Sequence, residues 1–424
     1  MSLIIKKFGG SLLSSTEKII QIARKIARSY KDGNDIVVIV SAMGDETDRL
    51  IELAGKISPN PSAREYDVLI SSGEQVSCAL LAIALGDLEC PASSYLGWQL
   101  GIKTDAINKN AEILQIDSTL LKTNIAHRKI SIVAGFQGVD EDNNITTLGR
   151  GGSDATAVAI ASALQADICK IYTDVDGVYS VDPRLINNAN KFSKISYDQM
   201  LMLANSGAQV LQPYAIEIAK KHKVDLLVAL GTSNRNNGTL ISTLAHENNN
   251  KLLLGISVSK NNTMFSLEFS LDNQNVLLKL LSNLKEVDVE ISILENEENH
   301  LDRTSKLVFT SSNKDYLHIL EIISNQPEYR KLIDYKINKN IAILNLVGVK
   351  TENLTEIINL VTANLEAENI GIYLVKTYNL SIALIIAEDS LKDAIHCLSA
   401  ALDLCSKNNI LGREQCGEEL LEIA

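Results

Sequence analysis

The chain has 424 residues, of which 46% are hydrophobic, 22% charged and 4% aromatic, so it can bury a large aliphatic core without disulfide or metal staples. Forty Lys and Arg against 52 Asp and Glu give a net charge of −12, which repels phosphate backbones and excludes nucleic acid as a general partner. The six cysteines, Cys78, Cys90, Cys169, Cys397, Cys405 and Cys416, have no CxxC spacing and read as free thiols in a reducing compartment, and no signal peptide or apolar run of membrane-spanning length is expected, so a soluble cytoplasmic protein with no membrane partner is.

Taken in chain order, the first half alternates two patterns. Leu3-Ile4-Ile5 and Ile36 to Val40 are continuous apolar runs, as buried parallel strands require. Between them Ile19, Ile22, Ala23, Ile26 and Ala27 recur at helical spacing, with Ser14 and Glu17 as the expected capping box. Leu50, Leu53, Ala54 and Ile57 share one helical face. Ile130 to Ala134 reads as a strand, Ala155 to Leu164 as an apolar helix, and Ile168 to Tyr172 and Leu226 to Leu230 as strands. This alternation predicts an α/β sandwich on a mainly parallel sheet, whose ligands bind at the carboxyl ends of the strands.

Residues 232–250, rich in Asn, Ser, Thr and Gly, read as a linker. The second half then carries a weak repeat. Thr263 to Phe269, Asn275 to Leu284 and Val287 to Leu294 read as strand, helix and strand. Ile341 to Val347, Leu354 to Leu365 and Ile370 to Val375 repeat that order. A further strand follows in each unit, Lys306 to Thr310 and Leu380 to Ile386, and then a helix. The plan is ferredoxin-like, of the βαββαβ type.

Four polar loops fall at the ends of these first-half elements. Lys7-Phe8-Gly9-Gly10-Ser11 follows the first strand, and its glycines let backbone N–H groups approach an anion; alone it is equally a tight turn with a surface lysine. Thr146 to Asp154 precedes the apolar helix. Capping and turn geometry account for Ser153, Asp154 and the glycines, but not for Arg150, whose planar fork suits a carboxylate. Tyr172 to Arg184 follows a strand, with a turn at Asp176-Gly177. Ser71 to Gln75 opens an apolar helix, where Glu74 is favoured by the dipole in any case. Ser41 to Asp45, with Thr47 behind it, is a further rim loop. Converging at one sheet edge, these loops outline a phosphate-transfer site.

Together the strings KFGGS, SAMGDETD, SGEQVS, AGFQGV, TTLGRGGSDATA, YTDVDGVYSVDPR and NSGAQVLQP closely resemble, in order and spacing, the aspartokinases of the amino acid kinase superfamily. The match covers residues 1–244, and the remainder resembles, more weakly, paired ACT regulatory domains. The resemblance implies an amino acid kinase domain over 1–244 and two ACT domains over 251–336 and 337–424. It implies ATP and Mg²⁺, with no metal site of the protein's own. Lys7, Gly9, Gly10 and Ser11 would hold the ATP phosphates, and Asp154 would orient Lys7. Ser41, Thr47, Glu74, Arg150, Gly152 and Ser153 would surround L-aspartate, with Arg150 on its α-carboxylate and Glu74 on its α-amino group. Thr173, Asp174, Tyr179, Asp182, Arg184 and Gln209 would line the nucleotide site. The product would be 4-phospho-L-aspartate, the first step toward lysine, diaminopimelate, threonine and methionine, in a homo-oligomer joined through ACT domains. The alternatives are another kinase of the superfamily and a catalytically weak amino acid sensor of the ACT type.

Three positions depart from the resemblance. Gln209 stands where the family has a phosphate-contacting lysine, which implies a slower enzyme. Leu12 stands where a small hydroxyl residue is usual, and either costs a polar contact or packs beneath the turn. The Pro-Gly turn of the ACT unit is replaced by Leu271 to Asn275 in the first repeat and by Lys350 to Leu354 in the second, which argues against feedback by lysine or threonine.

Overall fold

The structure, a computed structural model, describes residues 2–405 apart from 209, 233–236, 244–252, 272–273, 287–288, 290, 302, 326–328, 330–332, 350 and 379. It divides into two compact units. One comprises Met1–Tyr179 and Lys191–Asn250, and the other Ser180–Asn190 and Lys251–Ala424.

The first unit is built on strands β1 (Leu3–Phe8), β2 (Asp35–Val40), β3 (Ala92–Tyr95), β4 (Lys103–Thr104), β5 (Ile113–Gln115), β6 (Ile130–Ala134), β7 (Gln137–Val139), β8 (Ile145–Thr147), β9 (Ile168–Thr173), β10 (Lys194–Ile195), β11 (Leu226–Leu230) and β12 (Thr239–Ile241). Its helices are α1 (Thr16–Lys31), α2 (Glu46–Ile57), α3 (Ala63–Ile70), α4 (Ser72–Asp87), α5 (Thr119–Ala126), α6 (Gly152–Leu164), α7 (Tyr197–Asn205) and α8 (Pro213–His222). The main sheet has the order β10-β12-β11-β9-β1-β2-β6-β3. Its strands β3, β6, β2, β1, β9 and β11 are mutually parallel, and β12 pairs antiparallel with β11. A small sheet, β5-β4-β7-β8, lies beside it.

The aliphatic runs in β1 and β2 are buried along nearly their whole length, which is why they read as unbroken rather than alternating. On one face of the sheet Phe8, Val38, Val40, Ile132 and Tyr172 pack with Ile19, Ile22, Ala23 and Ile26 of α1 and with Leu81 and Leu85 of α4. The Phe8 and Tyr172 rings, register partners on β1 and β9, stack with centroids 4.9 Å apart. Leu12 joins this cluster and is 7% exposed. A Cβ added to Gly231 would fall 2.2 Å from Leu12 Cδ1. Of the two readings of Leu12, packing beneath the turn is the one observed.

Three local expectations change. The α1 cap is Ser15, whose side chain accepts from the Lys18 N–H; Ser14 instead bonds Ser11 O and the Lys18 ammonium. On α2 only Leu50 and Ala54 are buried, while Ile57 is 89% exposed. Residues 239–241 of the expected linker form β12, held by Thr239, whose hydroxyl accepts from Val178 N and donates to Phe192 O. Helices α3 and α4 follow each other over Ala63–Asp87, a stretch long and apolar enough by composition to cross a bilayer. Its buried side chains include Asp67, Ser71 and Glu74 as well as Leu81 and Leu85, the pattern of a core element carrying polar function.

The second unit contains one six-stranded antiparallel sheet. Its strands are β13 (Gly255–Ser270), β14 (Ile291–Asn299), β15 (Thr304–Ser312), β16 (Ile333–Val347), β17 (Ile372–Tyr378) and β18 (Ser381–Ala387), in the order β14-β15-β13-β16-β18-β17. Among the described residues each half contributes three strands and two α-helices, α9 (Gln274–Glu286) and α10 (Tyr316–Asn325), then α11 (Leu354–Ala367) and α12 (Leu391–Ala401). The repeat is therefore visible, and β13 pairs with β16 to fuse both halves into one sheet. Residues 180–190 join this unit through Ile256 N to Ser180 O (2.7 Å) and Asn190 N to Leu404 O (3.0 Å), with Val181 and Ile186 in its core.

Candidate active site

The parallel strands end at a common edge, and the loops that leave them are stitched to one another through the backbone. Gly9 N donates to Tyr172 O, Ser41 N to Phe8 O, Gly135 N to Val40 O and Gly231 N to Thr173 O. Gly44 N donates to Gly10 O at 3.0 Å. A Cβ on Gly10 would stand 2.8 Å from Ala42 O, so the two loops close together only because residue 10 has no side chain.

Lys7 points to the face opposite Phe8, toward the first turn of α6. Its Nζ lies 2.7 Å from Asp154 Oδ1, and the side chains retain 11% and 10% exposure. That distance is the one expected of a charge-assisted contact between an ammonium and a carboxylate. Asp154 sits where a helix N-terminus favours negative charge. The entry to α6 is fixed by Thr156, whose hydroxyl accepts from Phe136 N and donates to Gly152 O. Ser153 is buried against Gly135, where a Cβ would fall 2.8 Å from Ser153 Oγ.

Glu74, in the first turn of α4, is 3% exposed. One oxygen, Oε1, accepts from Ala42 N at 3.0 Å, while Oε2 is buried with no hydrogen-bond partner. Burial pushes its pKa up to about 7, against the opposing pull of the Ala42 N–H and the Lys7 charge. A buried carboxyl with one oxygen unsatisfied is built to receive a cationic donor. Thr47, in the first turn of α2, and Ser41 are half-buried at the same edge.

Arg150 is exposed between Gly149 (φ +69°) and Gly151 (φ +70°), both in the left-handed region, and no hydrogen bond or ion pair to a described residue holds its guanidinium. Ser11 is exposed at the loop end. Thr173 donates to Asp174 at 2.9 Å. Tyr179 donates to Asp176, which also pairs with Lys191; burial, with Asp176 beside it, pushes the phenol up to about 12. A cleft of about 580 Å³ opens beside these residues, lined by Ser11, Lys18, Lys25, Asp174, Gly231 and Thr232 among others.

The structure thus brings Lys7, Gly9, Gly10, Ser41, Glu74, Ser153 and Asp154 to one edge. Asp182 and Arg184 are grouped with the second unit. There the Arg184 guanidinium and N–H bond the Asp182 carboxylate, and these bonds hold the Asp182 pKa below its ordinary value although burial raises it. Gln209 lies outside the described residues, as do Asp272 and Asn273 of the first altered turn, Lys350 of the second, and Cys416. Sequence reasoning missed Thr156, Ala42 N–H and Asp67. Asp67 gave one weak signal, an acid between Tyr66 and the apolar run Val68-Leu69-Ile70 of its helix.

Known proteins resemble the chain in sequence and in fold. A model of the amino acid kinase family matches residues 2–229. An aspartate kinase, Ask_LysC, of Stutzerimonas stutzeri (strain A1501) is 40% identical over 407 residues, 95% of this chain and 98% of that protein. Aspartokinase 2 of Bacillus subtilis (strain 168) is 53% identical over 241 residues, 57% of this chain and 59% of its own. In fold, the chain matches E. coli aspartokinase III, crystallised in complex with aspartate and ADP, with a TM-score of 0.74 at 20% identity, covering 95% of this chain and 100% of that one.

Proposed function

We infer the reaction from one premise, that the chain belongs to the amino acid kinase family, among its aspartokinases. It is an aspartate kinase, which transfers the γ-phosphoryl of ATP to the side-chain carboxylate of L-aspartate and yields 4-phospho-L-aspartate and ADP. The observation that carries this reading is the buried Lys7–Asp154 pair beside a Glu74 carboxyl with one free oxygen.

The acceptor carboxylate is ionised at neutral pH and needs no general base. The chain's task is to hold two anions in line and offset their repulsion. We assign Lys7, kept in place by Asp154, to the phosphoryl oxygens in flight, and the N–H groups of Gly9, Gly10 and Ser11 to the nucleotide phosphates. Glu74 Oε2 takes the α-ammonium of aspartate, and Arg150 its α-carboxylate by a two-pronged contact. Ser41, Thr47, Gly152 and Ser153 close around the substrate. Thr173, Asp174 and Tyr179 line the nucleotide side, a role that the family resemblance extends to Asp182, Arg184 and Gln209. Mg²⁺, when bound, would supply charge neutralisation on the phosphates. Asp154 and Asp174 are carboxylates of the right chemistry near that path, and such ions are commonly held by one or two carboxylates plus substrate phosphates.

We further assign residues 1–244 to the catalytic domain, with 251–336 and 337–424 as ACT repeats. The enzyme works in the cytoplasm at the head of the lysine, diaminopimelate, threonine and methionine routes, as a homo-oligomer joined through its ACT sheet. Exposed Ile293 on edge strand β14 and Tyr373 on edge strand β17 support that surface. The altered turns support a rate unaffected by lysine or threonine. A coupled assay of ADP release tests the whole reading. It must depend on aspartate rather than glutamate, acetylglutamate or UMP, and must persist in millimolar lysine and threonine; ADP release indifferent to aspartate would sink it.

A further inference from the structure

Asp67, on α3, is fully buried and belongs to none of the motifs above. Its carboxylate is an acceptor-only group with room for about four donors, and it receives four. Thr147 Oγ1 donates to Oδ1 at 2.8 Å, Thr147 N to Oδ2 at 3.0 Å, Asn108 Nδ2 to Oδ2 at 2.9 Å, and Lys109 N reaches both oxygens at 3.1 Å. Two segments distant in sequence therefore meet on one side chain. Thr147 closes β8, and Ala111 N adds a bond to its carbonyl. Two residues later a Cβ on Gly149 would fall 2.6 Å from Asn110 Oδ1 and 3.2 Å from Lys109 O. The 108–110 turn is thus the wall against which the loop to Arg150 is laid.

Arg150 has no described partner for its guanidinium, and glycines in the left-handed region flank it. Gly-rich backbone has the most conformational freedom to lose. Arg150 takes its direction from what fixes the loop around it, with Gln212 against Gly151 on one side and the 108–110 turn against Gly149 on the other. We propose that Asp67 is a positioning residue, a clamp that aims Arg150 at the substrate α-carboxylate and so sets aspartate affinity. This rests on the assignment of Arg150 made above.

The test compares wild type with Asp67→Asn, Thr147→Val and Asn108→Ala. Asp67→Asn turns one acceptor oxygen into a donor facing donors, and the other two each remove a single donor. Aspartate binding is measured by calorimetry and KM for both substrates by the coupled assay, all well below each variant's melting temperature. The expected result for Asp67→Asn is aspartate affinity weaker by about tenfold, with KM for ATP within about twofold of wild type. Thr147→Val and Asn108→Ala should shift aspartate affinity in the same direction by about threefold. A role in folding alone would lower the melting temperature and leave both KM values unchanged, and that result overturns the clamp. If Asp67→Asn does not fold, unchanged aspartate affinity in both remaining variants overturns it. Wild type that binds aspartate but releases no ADP defeats the assigned reaction and leaves the clamp standing.

Discussion

Lys7 Nζ stands 2.7 Å from Asp154 Oδ1, both nearly removed from water. The ammonium is therefore compensated, and of its three donors it keeps two for other oxygens. Lys7→Ala removes the charge from the transferring phosphoryl, and kcat should fall by about 10³-fold, as for loss of a comparable transition-state donor. Asp154→Asn keeps the shape and removes the counter-charge, leaving Lys7 buried and unpaired, which costs on the order of 3 kcal/mol. Steady-state kinetics of both variants, with melting curves alongside, check this; a Lys7→Ala enzyme with near-normal kcat contradicts it.

Glu74 must be ionised to receive an ammonium group, but burial raises its pKa to about 7 in the free protein. Aspartate affinity should therefore improve as pH rises through about 7 and level off above it. Bound substrate lowers the pKa, because its charge replaces the solvent Oε2 lacks. Glu74→Gln should weaken aspartate binding and flatten the pH dependence of KM between about pH 6 and 8. A wild-type KM for aspartate that is constant across that range would show that Glu74 does not meet the amino group.

Much of this site was readable from the sequence because its chemistry sits in loops leaving strands that had to be aliphatic. β1, β2, β6, β9 and β11 are built on aliphatic residues, and their register brings Lys7, Ser41, Gly135 and Thr173 to one edge. Short polar strands escaped notice. β3 is Ala-Ser-Ser-Tyr, β8 is Ile-Thr-Thr and β12 is Thr-Leu-Ile, too brief to show a period. The assignment of Ser180–Asn190 to the second unit was also hidden, because it depends on partners such as Leu404, more than two hundred residues away in sequence. Asp67 was passed over for the same reason, since an acid in a helix that also carries Arg64 and Glu65 is ordinary until its four donors are known.

The buried charges also set the pH profile of stability. The Lys6 side chain is 3% exposed, on the face opposite Lys7, and burial with Lys170 and Lys25 nearby lowers its pKa to about 7. Its folded pKa lies below the unfolded value, so its penalty is full below about pH 7 and disappears as pH rises toward 10.5. Glu74 works in the other sense. Its folded pKa is raised, so its penalty is absent below about 4.5 and grows as pH rises to 7. Both penalties are near full at neutrality. Lys6→Met should therefore raise the melting temperature at pH 7 and below, with the gain shrinking by pH 10. A gain that grows with pH would reverse the sign worked out here.

Gln209 lies outside the described residues, and its consequence is argued from charge alone. The family resemblance implies a lysine there against nucleotide phosphate. A cation about 4 Å from a phosphate contributes on the order of 4 kcal/mol at an effective dielectric of 20 before solvent and Mg²⁺ screen it. Gln209→Lys should raise kcat/KM for ATP by about tenfold. Identical ATP kinetics in the two proteins would mean that the nucleotide's charge is met elsewhere.

Gly10 is where sequence, backbone and function meet most closely. The loops after β1 and β2 are joined by Gly44 N to Gly10 O, and a Cβ at residue 10 would press to 2.8 Å of Ala42 O and 3.2 Å of Gly44 O. Both obstacles are backbone, which cannot swing aside as a side chain would. In Gly10→Ala the 42–44 loop must retreat, and Ala42 N, the donor that holds Glu74 Oε1, retreats with it. The substitution should cost about 1–3 kcal/mol of stability. It should also weaken aspartate binding, although residue 10 itself is assigned to ATP. KM for both substrates, measured on folded Gly10→Ala protein, decides the point. An effect on ATP alone would mean that the two loops move independently and that Glu74 is not held through them.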